Sequence, residues 1–165
     1  MSAPEPTGVA VHHIAICPAD MDASLRFYCD GIGLRTLFDT VVEPDLVTLL
    51  NAPTNRTRTV FLGVAGEPNT GCVELMQIDG FDAEREPEGV RRLQRGMCVL
   101  SFQVDVEETL RRLKSLGLAS DVRTIKTSRT NAPVACVLDP DGIQVELLGE
   151  PLDLRVFDDR SVVPS

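Results

Sequence analysis

The feature that most limits what this chain can fold into is that it is written twice. "CVELMQ" (72–77) in the first half returns as "QVELLG" (144–149) in the second, and each closes a run with the same order of patterns. The first run opens on the β-branched strand pattern "VHHIAICP". It then takes up the helical periodicity of "DMDASLRFY", with Asp20 or Asp22 as cap and Gly31 and Gly33 closing the helix. Strand patterns follow around Leu37–Val42, Leu46–Leu50 and Thr57–Gly63, and "GCVELMQI" (71–78) completes the run. The second run repeats the order. "MCVLSFQV" (97–104) reads as a strand, and "DVEETLRRLKSLGL" (105–118) as an amphipathic helix ending in the same "GL" as the first. "VRTIKT" (122–127), "PVACVLD" (133–139) and "IQVELLG" (143–149) are strands, the last two joined by the turn "PDG".

Each run is a β-α-β-β-β unit whose sheet carries a helix on one face. The other face needs something to enclose, and two copies can curl into concave half-barrels around a shared cleft. The predicted fold is therefore α+β, with two tandem βαβββ modules at 9–78 and 97–149. A tail (1–8) precedes them, a connector (79–96) joins them, and a second tail (150–165) follows. The connector is long enough for a rim or lid but reads first as a solvated linker. The tail carries an apolar "LRVF" patch suited to a partner subunit.

Composition narrows the partners. Apolar residues at 43% and charged residues at 25% match a soluble protein with a substantial core. No apolar run reaches the ~18 residues that cross a bilayer, and "MSAPEPTG" lacks the basic and apolar segments of a signal peptide. Five widely spaced cysteines, with no C-x-x-C pair, read as structural thiols in a reducing cytoplasm, four of them in apolar strand patterns where a thiol acts as a small buried hydrophobe. A net charge of −9 repels a phosphate backbone, and the basic run "RRLQR" (91–95) sits among acidic residues, so nucleic acid is not an expected partner.

Strand alternation then selects the cleft residues. Ile14 and Ile16 pack on the helix, so His13 turns inward and His12 does not. Val73 and Leu75 pack likewise, turning Glu74 inward with Cys72 and Met76. Val145 and Leu147 do the same for Glu146, beside Gln144. A carboxylate within an apolar strand costs several kcal/mol to bury without a partner. Two readings meet that cost: His13, Glu74 and Glu146 ligate a divalent cation, or the glutamates are salt-bridged or hydrogen-bonded. Imidazole and carboxylate suit Mg, Mn, Fe, Co, Ni or Zn without choosing among them.

The segments "HHIAICPADMDASLRFYCDGIGL" and "LDPDGIQVELLG", with the twice-used "VEL", resemble the vicinal oxygen chelate superfamily over about residues 9–149. That superfamily includes glyoxalase I, methylmalonyl-CoA epimerase, extradiol dioxygenases and bleomycin-binding proteins. The resemblance implies one metal ligand from the first and one from the last strand of each module: His13 and Glu74, then Val99 and Glu146. Val99 departs from the pattern, because it has no donor where glyoxalase-like members carry a second histidine. This lowers the rank of the usual glyoxalase I activity and of ring-cleaving dioxygenases.

The implied activity is an isomerase, epimerase or lyase acting on a small substrate with neighbouring oxygens, through a metal-stabilised enolate. Glu74 and Glu146 are the candidate catalytic carboxylates. Glu146 reads as a ligand, and Glu74 as a ligand that detaches to shuttle a proton. Ser101 and Gln103, on the face of Val99, are candidates for binding substrate, with water as their alternative partner. A homodimer is implied by resemblance. The competing expectation is a metal-free antibiotic-binding protein of the bleomycin-resistance kind or a natural-product pathway enzyme, with a sparse aromatic supply against the former.

Overall fold

Aspartates fix where each long helix starts, and through it how each module curls. Asp20 accepts the Ala23 N–H to begin α1 (Met21–Leu25), which runs on without a break into a π-helical stretch, Arg26–Ile32. Gly33, at φ +106°, closes it with the left-handed residue that an L side chain resists. Asp105 likewise accepts the Glu108 N–H to begin α3 (Val106–Ser115). Glu107 and Glu108 in its first turn and Lys114 in its last complement the helix dipole.

The architecture comes from a computed structural model, which describes residues 11–66, 71–81, 96–128 and 130–150. The first module contains β1 (His13–Ile16), β2 (Arg35–Val42), β3 (Thr57–Gly63) and β4 (Cys72–Ile78), in sheet order β1-β4-β3-β2. The second contains β5 (Leu100–Gln103), β6 (Ser120–Lys126), β7 (Pro133–Leu138) and β8 (Gln144–Leu148), ordered β5-β8-β7-β6. In both, the first strand lies parallel to the last and the remaining pairs are antiparallel. The α+β class and the two modules are those expected from the repeat. Residues 82–95 of the connector, which include the basic run 91–95, and the "LRVF" tail lie outside the described residues.

One expected strand is a helix. Residues Leu46–Leu50 form α2, capped by Asp45, whose carboxylate accepts the Thr48 N–H, and ended by Asn51 at φ +55°. The run "LVTLL" is too short for its periodicity to separate the two choices. Its single buried side chain, Leu46, packs with Met76 and Ile78 at one end of the first sheet.

The modules join through their helices. One core contains Ile16, Val60, Leu62, Val73 and Leu75 from the first sheet and Leu100, Ala135, Val137, Val145 and Leu147 from the second. Phe27, Tyr28, Ile32, Val106 and Leu113 fill the space between them. The helices approach so closely that a Cβ on Gly31 would collide with Leu113 Cδ2. Arg112 reaches across to donate to the carbonyls of Gly31 (3.1 Å) and Ile32 (3.1 Å). Because the helix-bearing faces share this core, the two opposite faces are directed away from it.

A buried polar link reinforces the junction. Tyr28, fully buried, donates to Asp139 Oδ2 at 2.8 Å, while Asp139 Oδ1 accepts the N–H groups of Asp141 (3.0 Å) and Ile143 (2.7 Å). Burial pushes the Asp139 carboxyl above its ordinary range despite these donors, and pushes the Tyr28 hydroxyl upward as well.

Three outcomes follow from this junction. A raised folded-state carboxyl pKa means that Asp139 favours folding most at low pH. This contribution declines as pH rises from the ordinary carboxylate value through the raised one. Thermal melts from pH 4 to 7 should therefore show Asp139→Asn gaining on the native protein as pH rises, whereas a constant offset would contradict the assignment. Tyr28→Phe, which leaves a buried acceptor without its donor, should cost about 1–3 kcal/mol in urea unfolding. Gly31→Ala should cost about 1–3 kcal/mol by overpacking, since fully buried Leu113 has nowhere to turn.

Candidate active site

Parallel pairing sets Ala15 opposite Glu74 and His13 opposite Cys72. This brings the His13 ring over the Glu74 carboxylate, with Nε2 3.2 Å from Oε2. Glu74 is 8% exposed, and its other oxygen, Oε1, accepts the Thr59 hydroxyl at 3.2 Å. Thr59 and Phe61 stand on β3 opposite Met76 and Glu74, so they share the face that Glu74 occupies. Both carboxylate oxygens thus have partners, which answers the desolvation cost that the sequence raises.

Aromatic rings frame this pair. Phe61 meets the His13 ring edge-on at 5.3 Å between centroids, and half-exposed Phe38 meets Phe61 at 6.2 Å. His12 departs from its expected place. It lies just outside β1, where alternation no longer binds it, and its ring swings beside His13 with the two Nδ1 atoms 2.8 Å apart. Cys17 lies near enough to Glu74 to feel its charge. Burial first, and then Glu74, push its thiol up.

The matching face of the second sheet is more open. Ser101 pairs opposite Glu146, as Ala15 does opposite Glu74, and continuing that register puts Val99 in the place of His13. Val99 is partly exposed and offers no donor atom. Ser101 Oγ donates to Glu146 Oε2 at 2.6 Å. Gln144 donates to the Cys98 carbonyl and accepts from Arg123 Nη2 at 2.9 Å. Gln103 lies at the far end of β5, in a depression of about 630 Å³ lined also by Asp105, Glu107 and Pro133.

The structure thus gathers His13 and Glu74 and joins Ser101 to Glu146, but it keeps the two pairs on separate faces. Among the described residues, no three His, Cys, Asp or Glu side chains converge tightly enough to hold a cation. Sequence reasoning missed Thr59, Phe61 and Arg123. The register of β3 against "CVELMQ" could have found the first two, whereas Arg123 depends on a backbone irregularity. None of the five cysteines is in a disulfide. Of the five, Cys72 is buried, Cys29 and Cys136 are half-buried, and Cys17 and Cys98 are exposed, so the buried-hydrophobe reading holds for Cys72 and not for the two exposed thiols. Burial raises Cys29 and Cys136 as it does Cys17. No helix among the described residues is long and apolar enough to cross a membrane.

Comparison with known proteins agrees with this architecture. A lactoylglutathione lyase-like protein of Aspergillus terreus is 30% identical over 155 residues, covering 90% of this chain and 79% of its own length. A lactoylglutathione lyase of Schizosaccharomyces pombe is 25% identical over 144 residues, covering 85% of this chain but 47% of its own. The crystal structure of a glyoxalase family protein from Bacillus cereus matches with a TM-score of 0.68 at 18% identity, over 88% of this chain and 97% of that one. The family model described as glyoxalase/bleomycin resistance protein/dioxygenase superfamily matches residues 10–147, and the chain belongs to that superfamily.

Proposed function

We propose that this chain is a glyoxalase-type enzyme, a divalent-metal-dependent isomerase, epimerase or lyase acting on a small substrate with neighbouring oxygens. The observation that carries this reading is the His13–Glu74 pair. An imidazole nitrogen and a carboxylate oxygen 3.2 Å apart have about the separation of two donors around one cation, given metal–ligand distances of roughly 2.0–2.2 Å. The donor set fits, with His13 and Glu74 as ligands from one face and Glu146 from the other. The names of the two relatives support the lyase class.

A bound divalent cation would supply Lewis acidity to a substrate's adjacent oxygens. The remaining work falls to the chain. Thr59 holds Glu74 Oε1 and fixes the direction of Oε2. Ser101 holds Glu146 Oε2, leaving Oε1 to face a ligand or to receive a proton from a carbon beside a carbonyl. Phe38 and Phe61 limit water at the His13 side.

The separation of the two faces favours a homodimer as the working unit. A second copy that seats its second sheet against the first sheet of its neighbour would complete the ligand set twice, with Glu146 contributed in trans. The exposed apolar residues Phe38, Val99 and Ile125 on these faces would be covered in the process.

A second reading has one observation in its favour. Phe38, Phe61 and two imidazoles form a contiguous ring cluster on an open face, a platform on which a planar drug could stack without metal.

Elemental analysis of the purified protein should find a stoichiometric divalent metal that is lost in Glu74→Gln and Glu146→Gln. Thr59→Val should weaken metal binding by roughly 10–100-fold. A metal-free native protein whose Phe cluster responds to a planar antibiotic would overturn the enzyme reading in favour of sequestration. Mixing the Glu74→Gln and Glu146→Gln chains under exchange conditions should restore one metal site per mixed dimer. Continued absence of metal in the mixture would refute a ligand set shared between copies.

A further inference from the structure

A β-bulge in the second module aims a guanidinium into the face that carries Glu146. Along β6, Ser120 pairs with Leu138 but Arg123 pairs with Cys136, so three residues on β6 span the distance covered by two on β7. The extra residue is accommodated at Asp121, which has φ +45°, a conformation costly for a residue other than glycine. Without the bulge, Val122 would occupy the open face and Arg123 the core side. With it, Val122 packs against the shared core and Arg123 crosses to the side of Cys136, Gln144 and Glu146. Bulges recur where a strand must redirect one side chain at a working surface.

The guanidinium is held but not consumed. Its Nε lies 3.3 Å from Asp121 Oδ2, and Nη2 donates to Gln144 Oε1 at 2.9 Å and to Cys136 Sγ at 3.3 Å. No described side chain engages Nη1, and the Arg123 side chain is 49% exposed. Gln144 is in turn anchored to the Cys98 carbonyl, so the orientation is set before any ligand arrives. An ion pair this exposed is worth little to folding, so what the fold gains from the bulge comes from Val122 in the core, and the fixed orientation of Arg123 adds little to stability.

We propose that Arg123 is the carboxylate-binding residue of the substrate site, so that the substrate is a small molecule carrying a carboxylate a few atoms from its paired oxygens. The proposal rests on the enzyme reading above for its place beside Glu146. A singly charged carboxylate fits better than a phosphate, because Asp121 and Glu146 already put two negative charges on this face. With Nε and Nη2 already engaged, the Nη1 N–H groups are the donors left for such a group.

The test uses chelator-treated full-length protein, so that its readout does not depend on metal. Titration with 4-oxopentanoate, followed by NMR, should shift the Arg123 Nε–H and Gln144 side-chain amide signals. The neutral methyl ester should not shift them, and inorganic phosphate should do so more weakly. Arg123→Gln should weaken 4-oxopentanoate binding roughly tenfold or more, with unchanged melting temperature and unchanged metal content. Arg123→Lys should retain part of the affinity. Asp121→Asn, which keeps the left-handed backbone and removes the competing charge, should tighten binding. Equal binding by Arg123→Gln, an equal response to the ester, or stronger binding of phosphate would each overturn the proposal. Loss of the metal result with this pattern intact would instead count against the enzyme reading alone.

Discussion

The close approach of the two long helices governs the rest of this molecule. Gly31 lets Leu113 into van der Waals contact with the first helix, and no residue with a Cβ would fit unless Leu113 moved. The Arg112 guanidinium then lies on the last carbonyls of that helix, where the backbone leaves acceptors unpaired and the dipole is negative. Tyr28 and Asp139 add a buried hydrogen bond at the same junction. Joining the modules helix to helix commits both helix-bearing faces to one core, so the chemistry-bearing faces are left as separate surfaces.

The two glutamates, equivalent in sequence, have unequal surroundings on these two faces. Glu74 is nearly excluded from water and has partners at both oxygens. Glu146 is less buried and is fixed at one oxygen by Ser101. The difference traces to the first strands. His13 overhangs Glu74 and shields it, whereas Val99 at the matching place neither covers Glu146 nor bonds to it. One substitution in a repeat thus changes the burial of a carboxylate on the neighbouring strand, whose own sequence keeps the glutamate.

Much of this was legible in the chain. The duplication, the first helix's aspartate cap, its closure at Gly33 and the closing strands have local chemical signatures, and the structure bears out the α+β modules they imply. Gly31, read as a second closing residue, lies inside the helix instead. The pairing of His13 with Glu74 follows from alternation within one sheet. What the sequence did not disclose depends on longer-range geometry or on irregular backbone. Leu46–Leu50 is a helix because Asp45 and Asn51 cap it and Leu46 has Met76 and Ile78 to pack on, and five residues carry no period of their own. His12 escapes the strand rule by one position. The relative direction of the two sheets depends on the helix contact, which no strand pattern records.

Arg123 shows how a repeat can acquire something its twin lacks. Alternation applied to "DVRTIK" from Ser120 onward turns Val122 outward and Arg123 inward, a pattern that would bury a guanidinium against the core. One residue held at positive φ reverses that parity for the rest of the strand, satisfying Val122 and exposing Arg123 in a single step. The first module has its own irregularity between Thr36 and Phe38, and there the result is an aromatic ring on the open face. The two modules therefore keep the same frame and the same glutamate, while local shifts in register add Phe38 to the rings and imidazoles of one face and a cation to the other. In the homodimer proposed above, a ligand between the first sheet of one copy and the second sheet of its partner would meet an apolar, nitrogen-rich wall on one side and a hydrogen-bonding, positively charged one on the other, an asymmetry that would orient a small molecule more firmly than either face could alone.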